Sequence, residues 1–239
     1  MIYVVLVGTE GEENLGLVAR AMMNTGVEDL ILVSPQCDYL SVSAMNYAIH
    51  AKEILRRAVV TDSLDKALEG MDLAVAMSRR IGQWRKLDFS LPEFAEYSRA
   101  YRDKKIALVF GREQSGLETS ETGLCDLICS IPSSDKFPSL NLSHSVMVTL
   151  YALFADSEVA AKEVASRGEF DRMIRQIISA LDELGFFKNV PSWRLKSYIG
   201  KVLLRSQLDS YDTNVITNLF KRIKGMTIKL KKQADKESE

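Results

Sequence analysis

The chain has 239 residues, 46% of them hydrophobic and 26% charged, a balance typical of globular proteins that excludes a disordered or collagen-like chain. Lys plus Arg number 31 against 32 Asp plus Glu, a formal net charge of -1, so no overall basic excess points to a nucleic-acid partner. The average hides a split: residues 1–157 carry 15 basic and 21 acidic side chains, whereas residues 158–239 carry 16 and 11.

Residues 1–8 read MIYVVLVG, with no positive leader and too short an apolar run for a signal peptide. No stretch approaches the roughly 18 apolar residues of a membrane helix. A soluble, cytoplasmic protein is expected. Cys37, Cys125 and Cys129 are an odd and sparse set, against a disulfide framework. Cys125 and Cys129 have no nearby His or second Cys pair to complete four ligands, so buried thiols and no metal are expected.

In chain order, residues 3–7 form an apolar β-branched run ending at Gly8, and residues 15–24 show helical spacing stopped by Gly26. Residues 30–33 predict a second strand, 43–58 a helix, 59–60 a third strand, 64–68 a helix and 73–77 a fourth strand. Residues 106–110 and 127–131 predict two more strands. Short, continuous apolar strands alternating with helices predict an α/β domain whose parallel sheet is covered on both faces. From residue 139 to 154 the pattern becomes one long helix, and beyond it only helices are predicted, over 170–184, 193–208 and 214–228. The expected organisation is a domain over 1–157, a linker over 158–169, a small helical extension over 170–229 that holds the basic excess, and a frayed polar tail over 230–239.

Three segments are unlike ordinary connections. After the first strand comes GTEGEENLGLVAR, residues 8–20. Its glycines miss the dinucleotide fingerprint, and Glu10, Glu12 and Glu13 would repel a pyrophosphate. What remains is Asn14 at a helix start and Arg20 six residues on; alone, these read as a helix N-cap and a solvated charge. The fifth strand runs into Gly111, Arg112 and Glu113, charges at the strand end where open α/β sheets bind ligands. The third segment, Ser139-Leu140-Asn141-Leu142-Ser143, sits just before the long helix, and capping accounts for only one of its polar residues.

Taken together, Asn14-x-Gly16-x-x-Ala19-Arg20, Phe110-Gly111-Arg112-Glu113-x-x-Gly116-Leu117 and residues 139–143 resemble, in order and spacing, the SPOUT methyltransferases, specifically the TrmH-like RNA ribose 2'-O-methyltransferases. Within that branch the chain is most similar to the TrmJ group, which methylates position 32 of the tRNA anticodon loop. The stretch 76–80, AMSRR, matches that group's substrate-side loop, and the helical extension fits as well.

The resemblance implies a parallel-sheet domain closed by a deep trefoil knot, a homodimer, and S-adenosylmethionine as cofactor with no metal. It places Met77, Ser78, Gly111, Glu113, Ile131, Leu140 and Ser145 around the cofactor, and Asn14, Arg20, Glu113, Ser139 and Asn141 around the acceptor ribose. One subunit's first motif would face the knot of the other. A guanidinium does not readily lose its proton, so Arg20 is expected to stabilise charge developing on the 2'-oxygen and to hold a phosphate. Glu113 would orient Arg20 or accept the proton through water, Asn14 would fix the arginine or the ribose, and Ser139 with Asn141 would shape the knot loop. Arg194, Lys196, Lys201, Arg205, Lys221, Arg222 and Lys224 are candidate tRNA phosphate contacts. No role is expected for His50 or His144. The competing readings are a TrmH-like enzyme acting on another tRNA position or on ribosomal RNA, a Rossmann-type nucleotide enzyme, and a non-catalytic RNA-binding module.

Overall fold

The computed structural model describes residues 1–80, 86–156, 163–188 and 192–237, which fall into two units, Met1–Lys162 and Glu163–Glu239. The first unit is built on β1 (Ile2–Val7), β2 (Asp29–Val33), β3 (Val59–Thr61), β4 (Leu73–Met77), β5 (Phe89–Ser90), β6 (Ile106–Phe110) and β7 (Leu127–Ser130). These form one seven-stranded sheet in the order β3-β2-β1-β6-β4-β7-β5, parallel at every pairing. The predicted α/β class is therefore present.

The reason lies in the runs themselves. Val5, Leu32, Val75, Leu108 and Leu127 are fully buried, and strands covered on both faces need apolar residues at successive positions. Each such side chain stabilises the fold by about 1.5–3 kcal/mol. Register aligns Val5 with Ile31 on one side and Val109 on the other, and Val75 with Leu108 and Leu127.

The first unit's helices are α1 (Glu12–Asn24), α2 (Val42–Ala48), α3 (Lys52–Arg56), α4 (Leu64–Leu68), α5 (Leu91–Ser98), α6 (Thr119–Leu124) and α7 (Leu142–Ala155). The single helix expected over 43–58 is broken: Ile49 takes φ 53 and a 3-10 turn spans Ile49–Ala51. The break leaves Ile49 and His50 exposed while Ala44, Ala48, Ala51 and Leu55 are buried. β5 was not predicted because two residues carry no period; its pairing of Phe89 with Cys129 places it. α5 also escaped prediction, although its Ser90 and Glu93 capping box with Pro92 was a readable start signal.

The chain lays down β1, β2 and β3 outward on one side and then crosses to β4. The carboxyl ends of β1, β6, β4 and β7 consequently lie side by side, the place where open α/β sheets bind ligands. Helix α1 packs against α2 and α7, and Gly16 permits the first contact: a Cβ there would stand 2.4 Å from the Ala44 carbonyl oxygen and 2.5 Å from the Tyr47 Cβ.

The second unit consists mainly of α8 (Arg167–Glu183), α9 (Ser192–Arg205) and α10 (Ser210–Glu237). Met173, Ile174 and Ile177 form its buried centre, joined by Ile199, Leu203, Ile216 and Phe220. Two expectations are corrected here. The predicted tail over 230–239 is helical through Glu237, with Lys231 Nζ donating to the Glu183 carboxylate at 2.8 Å. Within the predicted linker, residues 158–162 lie outside the described residues, but Val164 is buried and α8 already begins at Arg167, behind a Ser166 cap.

Candidate active site

Above the carboxyl ends of β4, β6 and β7 lies a cavity of about 490 Å³, within the range of small-molecule sites. Met77 and Ser78 line it from the end of β4, Gly111 and Glu113 from the loop after β6, Ile131, Ser139 and Leu140 from the segment after β7, and Ser145 from the first turn of α7. The structure thus brings together every residue expected around a cofactor, with Ser139 added.

Gly111 is required where it stands. A Cβ on it would fall 2.2 Å from the Gly116 carbonyl carbon and 2.3 Å from the Leu117 nitrogen, because Arg112 and Gly116 close the loop by reciprocal backbone bonds of 3.3 and 2.9 Å. The Arg112 guanidinium anchors that loop by a two-pronged contact with Glu121, at 3.1 and 3.0 Å, and the carboxylate pushes the arginine's pKa further up. Gly8, at φ +60, makes room for it, since a Cβ there would sit 2.8 Å from Arg112 Nε. Local pattern gives Arg112 no partner, because Glu121 lies nine residues ahead on α6, a helix without a predicted counterpart. Arg79 supplies a second tie, donating to Ser133 Oγ and Asp135 Oδ1, both at 2.8 Å. It joins the loop after β4 to the one after β7, and Arg79 and Arg80 both line the cavity.

Asn14 is not the N-cap of α1. The helix begins at Glu12 with Gly11 at the cap position, and the Asn14 side chain instead donates to Glu113 Oε1 at 2.9 Å. Its Oδ1 accepts from Asn141 Nδ2 at 3.0 Å. Asn141 caps α7, accepting from the Ser143 backbone N–H at 2.8 Å. The long helix therefore starts three residues later than expected.

Arg20 stands apart. Six residues beyond Asn14, it points about 120° away around the helix, is exposed, and makes none of the contacts that unite Asn14, Glu113 and Asn141. Burial first, then the charges of Glu113, Glu12 and Asp38, push the Cys37 thiol up to about 11, which disfavours the reactive thiolate there. His50 and His144 are exposed and away from the cavity lining. Among the described residues no group of His, Cys, Asp or Glu is arranged to hold a metal, and no helix is long and apolar enough to cross a membrane.

Residues 1–151 match the SpoU rRNA Methylase family. The chain belongs to that family. Among relatives of this SpoU-family chain, the tRNA (cytidine-2'-O-)-methyltransferase TrmJ of Methanocaldococcus jannaschii is 34% identical over 77% of this chain and 82% of its own length. The enzyme of the same description from Sulfolobus acidocaldarius is 27% identical over 98% of both, so the likeness extends through the helical unit. The crystal structure of TrmJ from Z. mobilis superimposes with a TM-score of 0.67 at 25% identity, covering 93% of this chain and 99% of that one.

Proposed function

We propose that this SpoU-family chain is an S-adenosylmethionine-dependent tRNA ribose 2'-O-methyltransferase that acts on nucleotide 32 of the anticodon loop. The observation that carries the reading is the convergence of Met77, Gly111, Ile131, Leu140 and Ser145 on one cavity, in a chain whose relatives methylate tRNA at the 2'-oxygen. The lining suits the cofactor: Met77, Ile131, Pro138 and Leu140 offer apolar surface to a nucleobase, and Ser78, Ser139 and Ser145 offer polar groups to a ribose and a charged tail.

Bound there, the cofactor would supply a methyl group on a sulfonium; the 2'-oxygen would gain the methyl and pass its proton to solvent water, and the sulfur would leave as a neutral thioether. The chain's own contribution is to align the reactants and stabilise the oxygen as charge develops on it. Arg20 fills the second role and grips the neighbouring phosphate. Its exposure and its turn away from its own chain's Asn14 favour a homodimer in which it serves the partner's cavity. The exposed apolar edge of Val148, Tyr151 and Phe154 on α7, with Met23 on α1, supports such an interface. A trefoil knot formed by the segment from β7 into α7 belongs to the same reading, as do a cytoplasmic location, which accords with free cysteines, and tRNA contact by the helical unit. Lys196, Arg205, Lys221 and Arg222 are exposed there, while Lys224 is half-buried and donates to Ser179. Arg194 lies outside the residues whose side chains are described.

Calorimetry and methylation mapping test the proposal. S-adenosylmethionine and S-adenosylhomocysteine bind and NAD does not, and labelled methyl appears on the ribose of nucleotide 32 in undermodified tRNA. Tighter binding of NAD overturns the methyltransferase reading. Label in ribosomal RNA or at another tRNA nucleotide overturns only the target.

A further inference from the structure

Glu113 spends its carboxylate on the start of α1. Oε2 accepts the Glu10 backbone N–H at 3.1 Å, and Oε1 accepts the Gly11 N–H at 3.0 Å and Asn14 Nδ2 at 2.9 Å. With Gly11 at the cap position, no backbone carbonyl of the helix accepts its N–H or that of Glu10. A residue about a hundred positions away does so, because β1 and β6 are neighbours. Gly11 lies close against this cluster: a Cβ on it would stand 2.9 Å from Asn14 Nδ2 and 3.2 Å from Glu113 Oε1, so both side chains would have to shift.

The chain of bonds continues. Asn14 donates from Nδ2 to Glu113 and accepts at Oδ1 from Asn141 Nδ2, and Asn141 Oδ1 accepts both the backbone N–H and the hydroxyl of Ser143, at 2.8 and 2.6 Å. Each asparagine is engaged at both ends of its amide. Glu113 lines the cavity, and Leu140 and Leu142 line it on either side of Asn141, but Asn14 and Asn141 do not line it themselves. A proton taken up by Glu113 would weaken three bonds at once, and an Asn14 already bonded at both ends has little left to offer a ribose.

We propose that Glu113, Asn14 and Asn141 are positioning residues. They form one hydrogen-bonded strap that holds the loop after β6, the start of α7 and the start of α1 in a single arrangement, and Glu113 takes no proton in the reaction. The inference deepens the methyltransferase reading and rests on it for its kinetic arm. Because α1 also carries Arg20, the strap links the filling of the cavity to the setting of that arginine.

The test uses the full chain, S-adenosylhomocysteine as probe, and Asn14→Ala, Asn14→Asp, Asn141→Ala, Asn14→Ala/Asn141→Ala and Glu113→Gln. Asn14→Ala weakens S-adenosylhomocysteine binding about fivefold although Asn14 does not itself line the cavity, and the double variant is little worse than the poorer single one. Asn14→Asp sets a second carboxylate against Glu113, so its affinity recovers as pH falls from about 8 to about 5, a dependence absent from the parent. Glu113→Gln lowers kcat without removing the acidic limb of the pH–rate profile. Unchanged affinity in Asn14→Ala, additive effects in the double variant, or loss of that acidic limb in Glu113→Gln each overturns the proposal. If the parent binds no S-adenosylhomocysteine, the proposed function fails instead, and the strap is judged by the same double-variant cycle in thermal unfolding: non-additive losses uphold it and additive ones reject it.

Discussion

In the first unit the polar side chains reach far along the chain: Asn141 to Asn14 across 127 positions, Glu113 to Gly11 across 102, Arg99 to Asp156 across 57. In the second unit many stay within a turn, as with Ser166 and Glu169 or Thr213 and Thr217, and others join adjacent helices, as Lys224 does to Ser179 and Lys231 to Glu183. A parallel sheet collects the ends of distant strands on one edge, so a few loops can surround a small molecule. A small helical unit has no such edge and offers its faces, here studded with cations, which suits a long anionic partner better than a cavity ligand.

The comparison is sharpest at Arg20, a proposed site residue of the first unit that makes none of the contacts uniting Asn14, Glu113 and Asn141. Arg20→Ala should leave S-adenosylhomocysteine affinity unchanged and cut turnover by about a hundredfold or more, the usual cost of removing a group that stabilises developing charge. Mixing it with Asn141→Ala should restore up to about half of parental activity per heterodimer, because two-fold symmetry leaves one site with both defects and one with neither. Mixed dimers no more active than either variant would place both residues in the same chain's site.

Two glycines separate the packing of the units. Gly111→Ala drives a methyl into the backbone of Gly116 and Leu117, so a loss of about 3 kcal/mol in stability and most of the cofactor affinity is expected. Gly225→Ala, within α10 and with nothing near its added methyl, should instead stabilise the protein by about 0.5–1 kcal/mol. Thermal unfolding of the two variants reads the opposite signs.

Charge separates them next. Replacing Lys196, Lys221 and Arg222 by Gln should weaken tRNA binding and flatten its salt dependence by about 0.7–0.9 in slope per lost phosphate contact, with cofactor affinity untouched. An unchanged slope would remove the second unit from the tRNA surface. A local effect concerns its helix start, where hydrogen bonds from the Ser166 hydroxyl and backbone hold the Glu169 carboxyl below its ordinary range. A depressed carboxylate contributes stability above its unfolded pKa and loses it as pH falls through the lower folded value. Ser166→Ala should therefore cost about 1 kcal/mol near neutral pH and reduce the acid sensitivity of this unit, which melting curves between about pH 3 and pH 6 would show.

The sequence by itself determined the sheet's long strands, because residues such as 3–7 and 106–110 are apolar at successive positions and only a strand buried on both faces uses that pattern. The motifs in it, through their resemblance to a known family, also named the residues that line the cavity, among them Gly111, Glu113, Ile131 and Leu140. Tertiary structure alone decided the partners. Asn14 looked like a helix cap, and it became a link to Glu113 and Asn141 only because β1 lies beside β6 and α1 against α7. Arg112, legible only as a charge at a strand end, gains its partner because α6 brings Glu121 to it, β5 is placed by its pairing with β7, and the helix over 43–58 breaks at Ile49, whose positive φ no apolar period announces. Local pattern records which side chains avoid water; it holds no record of which distant backbone will stand next to them, and hydrogen bonds over a few ångströms depend on nothing else.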